Sequence, residues 1–363
     1  MLSLLLRQTN RFEAANPPSS RMIVLSWDFD RLSLERILVN VLLTGGYGCI
    51  GSWIVRNLLE RDAQVWIYDL KEDLRRLRLL LDDHQLKQVK FICGDVTDLE
   101  ALHTAILHNG ISHIIHLAGL QVPVCRADPI LGGKVNVLGT LAVFEAVRRT
   151  EGAIKRLVYA SSAAVFSPPQ AYPPGQVGND VLLTPTTHYG VFKCCNEGNA
   201  RIYWQDHGIS SIGLRPWTVY GVGRDFGMTS EPTKAIKALA LGRQYHISYG
   251  GWQDLQFVDD VAKTFIRCLT VPYQGARSYN LRGTVIDLPG FCKALAAVDP
   301  RAASLITHGD TQIPIAYDLD DSALQNDVGP LPKTPLEDGI RQTLELFRKL
   351  KEEGKLDTAD LDC

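Results

Sequence analysis

Two side chains in the segment Thr187-His188-Tyr189-Gly190-Val191-Phe192-Lys193 are suited to moving a proton. Tyr189 and Lys193 stand four residues apart, so on a helix they share one face and project into the same space. A free phenol titrates near ~10, too high for an efficient base close to neutrality. An ammonium beside it favours the phenolate and would bring it toward working pH. Upstream, Ser161 and Ser162 close the apolar run Leu157-Val158-Tyr159-Ala160. A hydroxyl placed there can hold an oxygen that alternates between alcohol and carbonyl. Ser162 is expected to face the chemistry and Ser161 to turn into the structure. Such a tyrosine–lysine spacing alone decorates many surfaces. It acquires meaning when something nearby can take the hydride that oxidation of an alcohol releases.

The elements that would position these groups read outward from a glycine-rich turn, Thr44-Gly45-Gly46-Tyr47-Gly48-Cys49-Ile50-Gly51. Ile37 to Leu43 reads as a buried strand entering the turn, and Cys49 to Arg61 as a helix leaving it. Glycines there allow close backbone approach, and the helix-start amides at Cys49, Ile50 and Gly51 would face a pyrophosphate. Asp69 ends the next strand, Val65-Trp66-Ile67-Tyr68, where a carboxylate can accept from both adenosine ribose hydroxyls and repel a 2′-phosphate. Strand, turn, helix and acid together point to NAD, with NADP kept open by Lys71, Arg75 and Arg76. A leucine-rich amphipathic helix (Leu74, Leu77, Leu80, Leu81) is expected next. Strands follow at Val89 to Cys93, His113 to Leu117, Arg156 to Ala160 and Ser211 to Leu214. Continuous apolar strands alternating with helices predict an α/β protein with a Rossmann-type, doubly wound parallel sheet.

That NAD-binding domain is expected over residues 37–215. Residues 216–351 read as a smaller, less regular substrate-binding lobe, mixed α/β and partly interleaved with the sheet domain, and 352–363 as a tail. Within the lobe the pattern predicts a helix from Thr233 to Leu241, a strand near Tyr245 to Ser248, a helix opening at Phe257-Val258-Asp259-Asp260, and a charged helix from Leu336 to Lys351. A lobe seated over the carboxyl ends of the strands makes a cleft, which is where open α/β sheets bind their ligands.

Composition sets outer bounds. Hydrophobic residues make up 45% and charged residues 21%, as in ordinary soluble globular proteins. A formal net charge of -2 gives no polyelectrolyte footprint, so nucleic acid is not an expected partner. No apolar run approaches the ~20 residues of a membrane span, so no membrane is expected either. Eight cysteines are scattered without metal-ligand spacing, which predicts reduced thiols, a cytoplasmic setting and no metal. Cys194 and Cys195 read as helix packing residues. Residues 1–36 read as a poorly ordered extension. Up to Arg21 it carries three arginines and one acid, a faint organelle-targeting signature.

Taken together, these motifs resemble the extended short-chain dehydrogenase/reductase family, in its NAD-dependent epimerase/dehydratase branch, over roughly residues 38–350. Gly94-Asp95-Val96 is similar to the family's adenine-contacting segment, and His116-Leu117-Ala118-Gly119 to the strand passing the cofactor. Asn136 matches the helix asparagine, and Leu214-Arg215-Pro216-Trp217-Thr218-Val219 the stretch near nicotinamide. The resemblance implies cofactor contacts from Gly45, Gly48, Cys49, Ile50, Gly51, Asp69, Asp95, Val96, Leu117, Ala118, Gly119, Asn136, Tyr189, Lys193, Pro216 and Val219. It implies catalysis by Ser162, Tyr189 and Lys193, with Lys193 also holding the nicotinamide ribose. A homodimer paired through residues 136–149 and 188–207 is likewise implied.

Departures from the family pattern carry the substrate information. Dehydratases of the family place an Asp-Glu pair where this chain has Ala163 and Ala164, which have no proton to give. Many sugar-nucleotide epimerases have asparagine at Thr218, arginine at Gln253, and a second arginine near Thr307-His308-Gly309-Asp310. Without those arginines a nucleotide diphosphate would be buried uncompensated. Arg224, Lys237 and Arg243 remain as anion holders. Arg224-Asp225-Phe226-Gly227-Met228-Thr229-Ser230 reads as a lid, with Met228 equally suited to core packing. Gln121, Ser162, Ala163, Thr218, Arg224 and Thr229 are the expected substrate contacts. His188 points to another helix face and is left out of the proton path. The leading expectation is an NAD-dependent oxidoreductase acting on a secondary alcohol of a hydroxylated small molecule, sugar-like or sugar-acid-like. A sugar-nucleotide epimerase and a non-catalytic NAD-binding regulator are the alternatives.

Overall fold

The computed structural model describes residues 39–362. The expected extension over 1–36, with its faint targeting signature, lies outside these residues. The strands are β1 (Asn40–Thr44), β2 (Gln64–Asp69), β3 (Lys90–Cys93), β4 (His113–His116), β5 (Arg156–Ala160) and β6 (Ser211–Arg215). They continue with β7 (Thr218–Tyr220), β8 (Tyr245–Ile247), β9 (Trp252–Phe257), β10 (Ala276–Asn280), β11 (Thr284–Asp287) and β12 (Ile306–His308). Seven of them form one sheet in the order β3-β2-β1-β4-β5-β6-β10, and every neighbouring pair is parallel. The strand order reverses between β2-β1 and β4-β5, so a crevice opens at the carboxyl ends of β1 and β4.

The sheet is all-parallel because helices cover both of its faces. The helices are α1 (Cys49–Leu59), α2 (Asp83–Leu86), α3 (Leu99–His108), α4 (Val122–Ala127), α5 (Pro129–Arg149) and α6 (His188–His207). The small lobe and the return to the sheet add α7 (Glu231–Leu241), α8 (Val258–Thr270), α9 (Leu288–Val298), α10 (Ala302–Leu305), α11 (Ser322–Val328) and α12 (Leu336–Glu352). Successive strand residues point to opposite faces. Leu43, Ile115 and Val158 thus enter a core with Ile54 of α1 and Phe265 of α8. Leu42, Ile114 and Leu157 enter a second core with Leu102 of α3 and Phe144 of α5. Strands buried on both sides have no polar face, which explains their unbroken apolar runs.

Two of the departures from the sequence reading fall in the helical segments of the large domain. The leucine-rich stretch after β2 is not one amphipathic helix but a 3-10 turn, Leu77–Leu79, followed by the short α2. Tertiary anchors override the periodicity. Leu77 is fully buried, while Arg76 is tied to the carbonyls of Tyr47 and Gly223 and to Asp225. Asp82 then accepts from the Gln85 amide and starts a new helix with a capping box. Secondly, α5 is long and apolar enough to cross a bilayer by length and composition, contrary to the expectation of no such run. In the fold its Val143, Phe144 and Val147 lie in the second core.

The small lobe contributes a three-stranded sheet, β11-β9-β7, and the pair β12-β8. After β9 the chain returns through α8 and β10 to the edge of the large sheet.

Candidate active site

A cleft of about 530 Å³ lies where the carboxyl ends of β1, β4 and β5 meet the small lobe. Its floor begins at the glycine turn. Gly45 has φ +68, and a Cβ there would sit 2.7 Å from the Ala118 amide nitrogen, so only glycine lets β1 turn against the end of β4. At Gly51 a Cβ would approach the Gly46 carbonyl oxygen to 2.5 Å, and its absence seats α1 on the turn. Helix α1 starts at Gly48 with no side-chain cap and no acid in its first turn. Gly48, Cys49, Ile50 and Gly51 all line the cleft, giving it a helix N-terminus whose amides and dipole suit an anion.

Asp69 lies half-buried on the same wall, with its Oδ1 accepting from the Leu70 amide at 2.9 Å. Burial lifts its carboxyl above the ordinary range, and the Leu70 amide opposes the shift. The guanidiniums that kept NADP open are engaged elsewhere. Arg75 grips Asp73 through two nitrogens, and Arg76 grips Asp225 at 2.5 Å. Asp95, Val96, Leu117, Ala118 and Gly119 complete this side. Asp95 is held below the usual carboxylate range by the Thr97 amide.

Asn136 does not join them. It is buried outside the cleft lining, accepting from the Leu120 amide at 3.1 Å and donating to the carbonyls of Leu120 and Gly132. The π-helical turn of α5, Lys134–Leu138, points this side chain at the backbone beneath Gly119, so it supports the loop that lines the cleft.

Thr187 caps α6 by accepting from the Gly190 amide, and the first two turns of that helix deliver Tyr189 and Lys193 to one place. The Tyr189 hydroxyl has Ser162 as its hydrogen-bonding neighbour. The Lys193 Nζ lies 5.5 Å from the centroid of the Tyr189 ring and donates to the Ala160 carbonyl at 2.7 Å. Burial pulls the Lys193 ammonium down to about 8. Burial also raises the Tyr189 phenol, opposed by Ser162 and by the charge of Arg224. The expectation that Lys193 brings the phenol down is therefore corrected: its Nζ faces a carbonyl, and desolvation prevails. Ser161 turns inward to Glu197, which forms a buried pair with Arg215 at 2.7 Å. That pair ties the middle of α6 to the end of β6. His188 is exposed and stacks on Phe192, away from this chemistry.

On the remaining wall stand Gln121, Ala163, Pro216, Val219, Arg224 and Thr229. Thr218 is fully buried and absent from the lining, because strand alternation turns it away while Trp217 and Val219 face the cleft. Arg224 donates from Nη2 to the Thr229 hydroxyl at 3.1 Å, and its Nε is buried without a partner. The other two anion holders proposed from sequence are misplaced. Lys237 pairs with Asp360 and Arg243 with Asp362, and neither lines the cleft. Met228 is exposed and lines the cleft instead of filling a core. Trp217, Ile315 and Lys134 are lining residues that sequence reasoning missed. Only Trp217 had a signal, its place beside two expected contacts. Among the described residues, no group of three or more histidines, cysteines or acids could hold a metal.

The model of the NAD dependent epimerase/dehydratase family matches residues 41–281. The chain belongs to this family. It is therefore an NAD-dependent enzyme of the extended short-chain dehydrogenase/reductase type. A UDP-glucose 4-epimerase of Mycolicibacterium smegmatis is 28% identical over 322 residues, spanning 85% of this chain and 99% of that protein. The crystal structure of a Thermus thermophilus UDP-glucose 4-epimerase with NAD is 26% identical, with a TM-score of 0.71 over 85% of this chain and 99% of that one. A partial consensus L-threonine 3-dehydrogenase shares the fold at a TM-score of 0.75 and 21% identity, over 85% and 99% of the two chains.

Within this epimerase/dehydratase family member, positive charge on the cleft wall is sparse: Lys134, Lys193 and Arg224 are its cationic lining residues. Gln253 is buried, accepts from the Tyr249 hydroxyl at 3.3 Å and stays out of the lining. His308 directs its ring to the adjacent Gly309 carbonyl.

Proposed function

We propose that this enzyme oxidises a secondary alcohol on a sugar-like substrate that carries a carboxylate, with NAD as hydride acceptor. The residues fit the cofactor: an uncapped helix start at a glycine turn, and a half-buried Asp69 with no guanidinium paired to it. Bound there, NAD supplies the electrophilic ring that receives the hydride. Ser162 orients the substrate oxygen and Tyr189 takes its proton. Lys193, held by the Ala160 carbonyl, keeps a positive charge beside the phenol ring and has donors left for ribose hydroxyls. Arg224 holds the carboxylate. The observation that carries the substrate reading is this guanidinium: half-buried, bonded to a neutral hydroxyl, with its Nε unpartnered. A single guanidinium without a carboxylate partner suits a monoanion, while a nucleotide diphosphate would need more.

The relatives favour a second reading, epimerisation of a sugar nucleotide through a transient ketone. The two separate in one assay. Net NADH formation with aldonic or uronic acids, abolished in Tyr189→Phe, supports oxidation. Inversion of a UDP-sugar with no net NADH overturns it.

The same proposal places the enzyme in the cytoplasm as a homodimer. Free thiols at the seven described cysteines fit a reducing compartment. Exposed Leu138 on α5, with Val191 and Ile202 on α6, fits pairing through those helices.

A further inference from the structure

A second cavity, of about 830 Å³, is distinct from the cofactor cleft. It lies across the lid from it. The 3-10 turn Leu77–Leu79, Gly223 with the lid residues Arg224 to Phe226, helix α7 and the chain from Lys355 to Asp360 contribute to its walls. We propose that this cavity binds a small organic anion with an apolar body.

The charge pattern carries the inference. Seven cationic side chains line the cavity against five carboxylates. Four of the cations already have carboxylate partners, Arg76 on Asp225 and Lys237 on Asp360 among them. The other three, Arg78, Lys234 and Arg224, are paired with no acid among the described residues, and Lys234 and Arg224 are half-buried. Three of the carboxylates, Asp82, Asp83 and Asp357, have no cationic partner among the described residues either, but all three are exposed and remain solvated. The half-buried Lys234 and Arg224 are partly desolvated, so they gain most from an anion in the space between them. The rest of the wall is apolar, with Leu81 and Phe347 buried at its base and Leu79 and Leu356 partly so. A concave apolar surface with a few convergent charges is the usual form of a small-molecule site. The cavity also shares a wall with the catalytic cleft, since Arg224 lines both. One guanidinium, Arg76, ties Tyr47 of the glycine turn to Gly223 and Asp225 of the lid at the edge of this second space.

The site shares Arg224 with the proposed substrate contact, so its test is placed on Arg78 and Lys234 and needs no turnover. The probe is 8-anilinonaphthalene-1-sulfonate, an aromatic sulfonate, added to the full chain saturated with NAD so that the cofactor cleft is closed to it. One saturable site is expected. Its affinity should fall about tenfold in Lys234→Glu and again in Arg78→Glu, as loss of a charge-assisted contact implies. Asp69→Ala and Tyr189→Phe should leave it unchanged, so an inactive reaction centre cannot mimic an absent site. Failure of the NAD-saturated chain to bind the probe overturns the proposal. So does binding in both charge-reversed proteins at the affinity of the parent.

Discussion

Lys193 is held at an energetic cost that a titration can expose. Its side chain is 5% exposed, and burial lowers its pKa from 10.5 to about 8. Below pH 8 both the native and the unfolded chain carry the proton, and the native state bears the full desolvation penalty. Between about 8 and 10.5 the unfolded chain still binds the proton that the native state has released, so stability rises with pH across this window. The whole gain is roughly 3 kcal/mol, since each tenfold loss of proton affinity corresponds to about 1.4 kcal/mol, and roughly 2 kcal/mol of it should be present by about pH 9.5. Other groups titrate in the same range, buried thiols and phenols among them, so the measurement is a difference. Urea unfolding of the parent and of Lys193→Met, followed from neutral pH upward, should give stability curves that diverge by this amount, the parent gaining relative to the variant. The variant also leaves the Ala160 carbonyl without its donor, but that loss is independent of pH and only offsets the curves. Parallel curves would refute the reasoning. They would mean that Lys193 is charged in both states throughout, and that the low pKa of this buried amine is not available to the site.

Replacing Asp69 by alanine should weaken NAD by about tenfold or more while changing NADP little, because only the ribose diol depends on that carboxylate; equal losses measured by cofactor titration would remove its assignment. Arg224→Gln should raise KM for carboxylate-bearing alcohols roughly 30-fold, the equivalent of about 2 kcal/mol, and leave neutral polyols unchanged. If KM for NAD rises instead, Arg224 clamps the cofactor and not the substrate. Asp254 is fully buried, and its pKa is pushed by burial from 3.8 to about 7, so the native state keeps a proton that the unfolded chain has lost and stability falls as pH rises through that interval. Asp254→Asn should flatten this slope in thermal unfolding, and an unchanged slope would place the titration elsewhere.

What could be read in the sequence was local chemistry on regular elements. The glycine turn, Asp69 and the Tyr189–Lys193 spacing sit on elements whose period is visible in a single segment, and the structure brings all of them to one cleft. Failure came where a side chain answers to a distant partner. Leu74 to Leu81 has helical periodicity, yet Arg76 reaches across to Gly223 and Asp225, and the chain follows the anchor. Strands β9 and β10 went unrecognised because Gln253, Asp254, Gln256, Ser278 and Asn280 are polar residues buried in the fold, where hydropathy suggests loops.

The same distinction separates Thr218 from Trp217 and explains the miss at Asn136. Aligning a motif identifies a stretch of chain, but which side chain enters the cleft depends on strand alternation and on the winding of a helix. Inside β7 that alternation turns Thr218 away, and the π-turn of α5 aims Asn136 at backbone. The buried pair of Glu197 and Arg215 follows the same logic from the other direction. Glu197 lies one turn beyond Lys193, so its position is as regular as the proton-moving residues themselves, yet its role emerges only when β6 brings Arg215 alongside and Ser161 turns toward it. A carboxylate of this kind fixes the helix that carries Tyr189 to the end of β6 and to Ser161, the neighbour of Ser162, so the placement of base and orienting hydroxyl rests on a contact that neither motif contains.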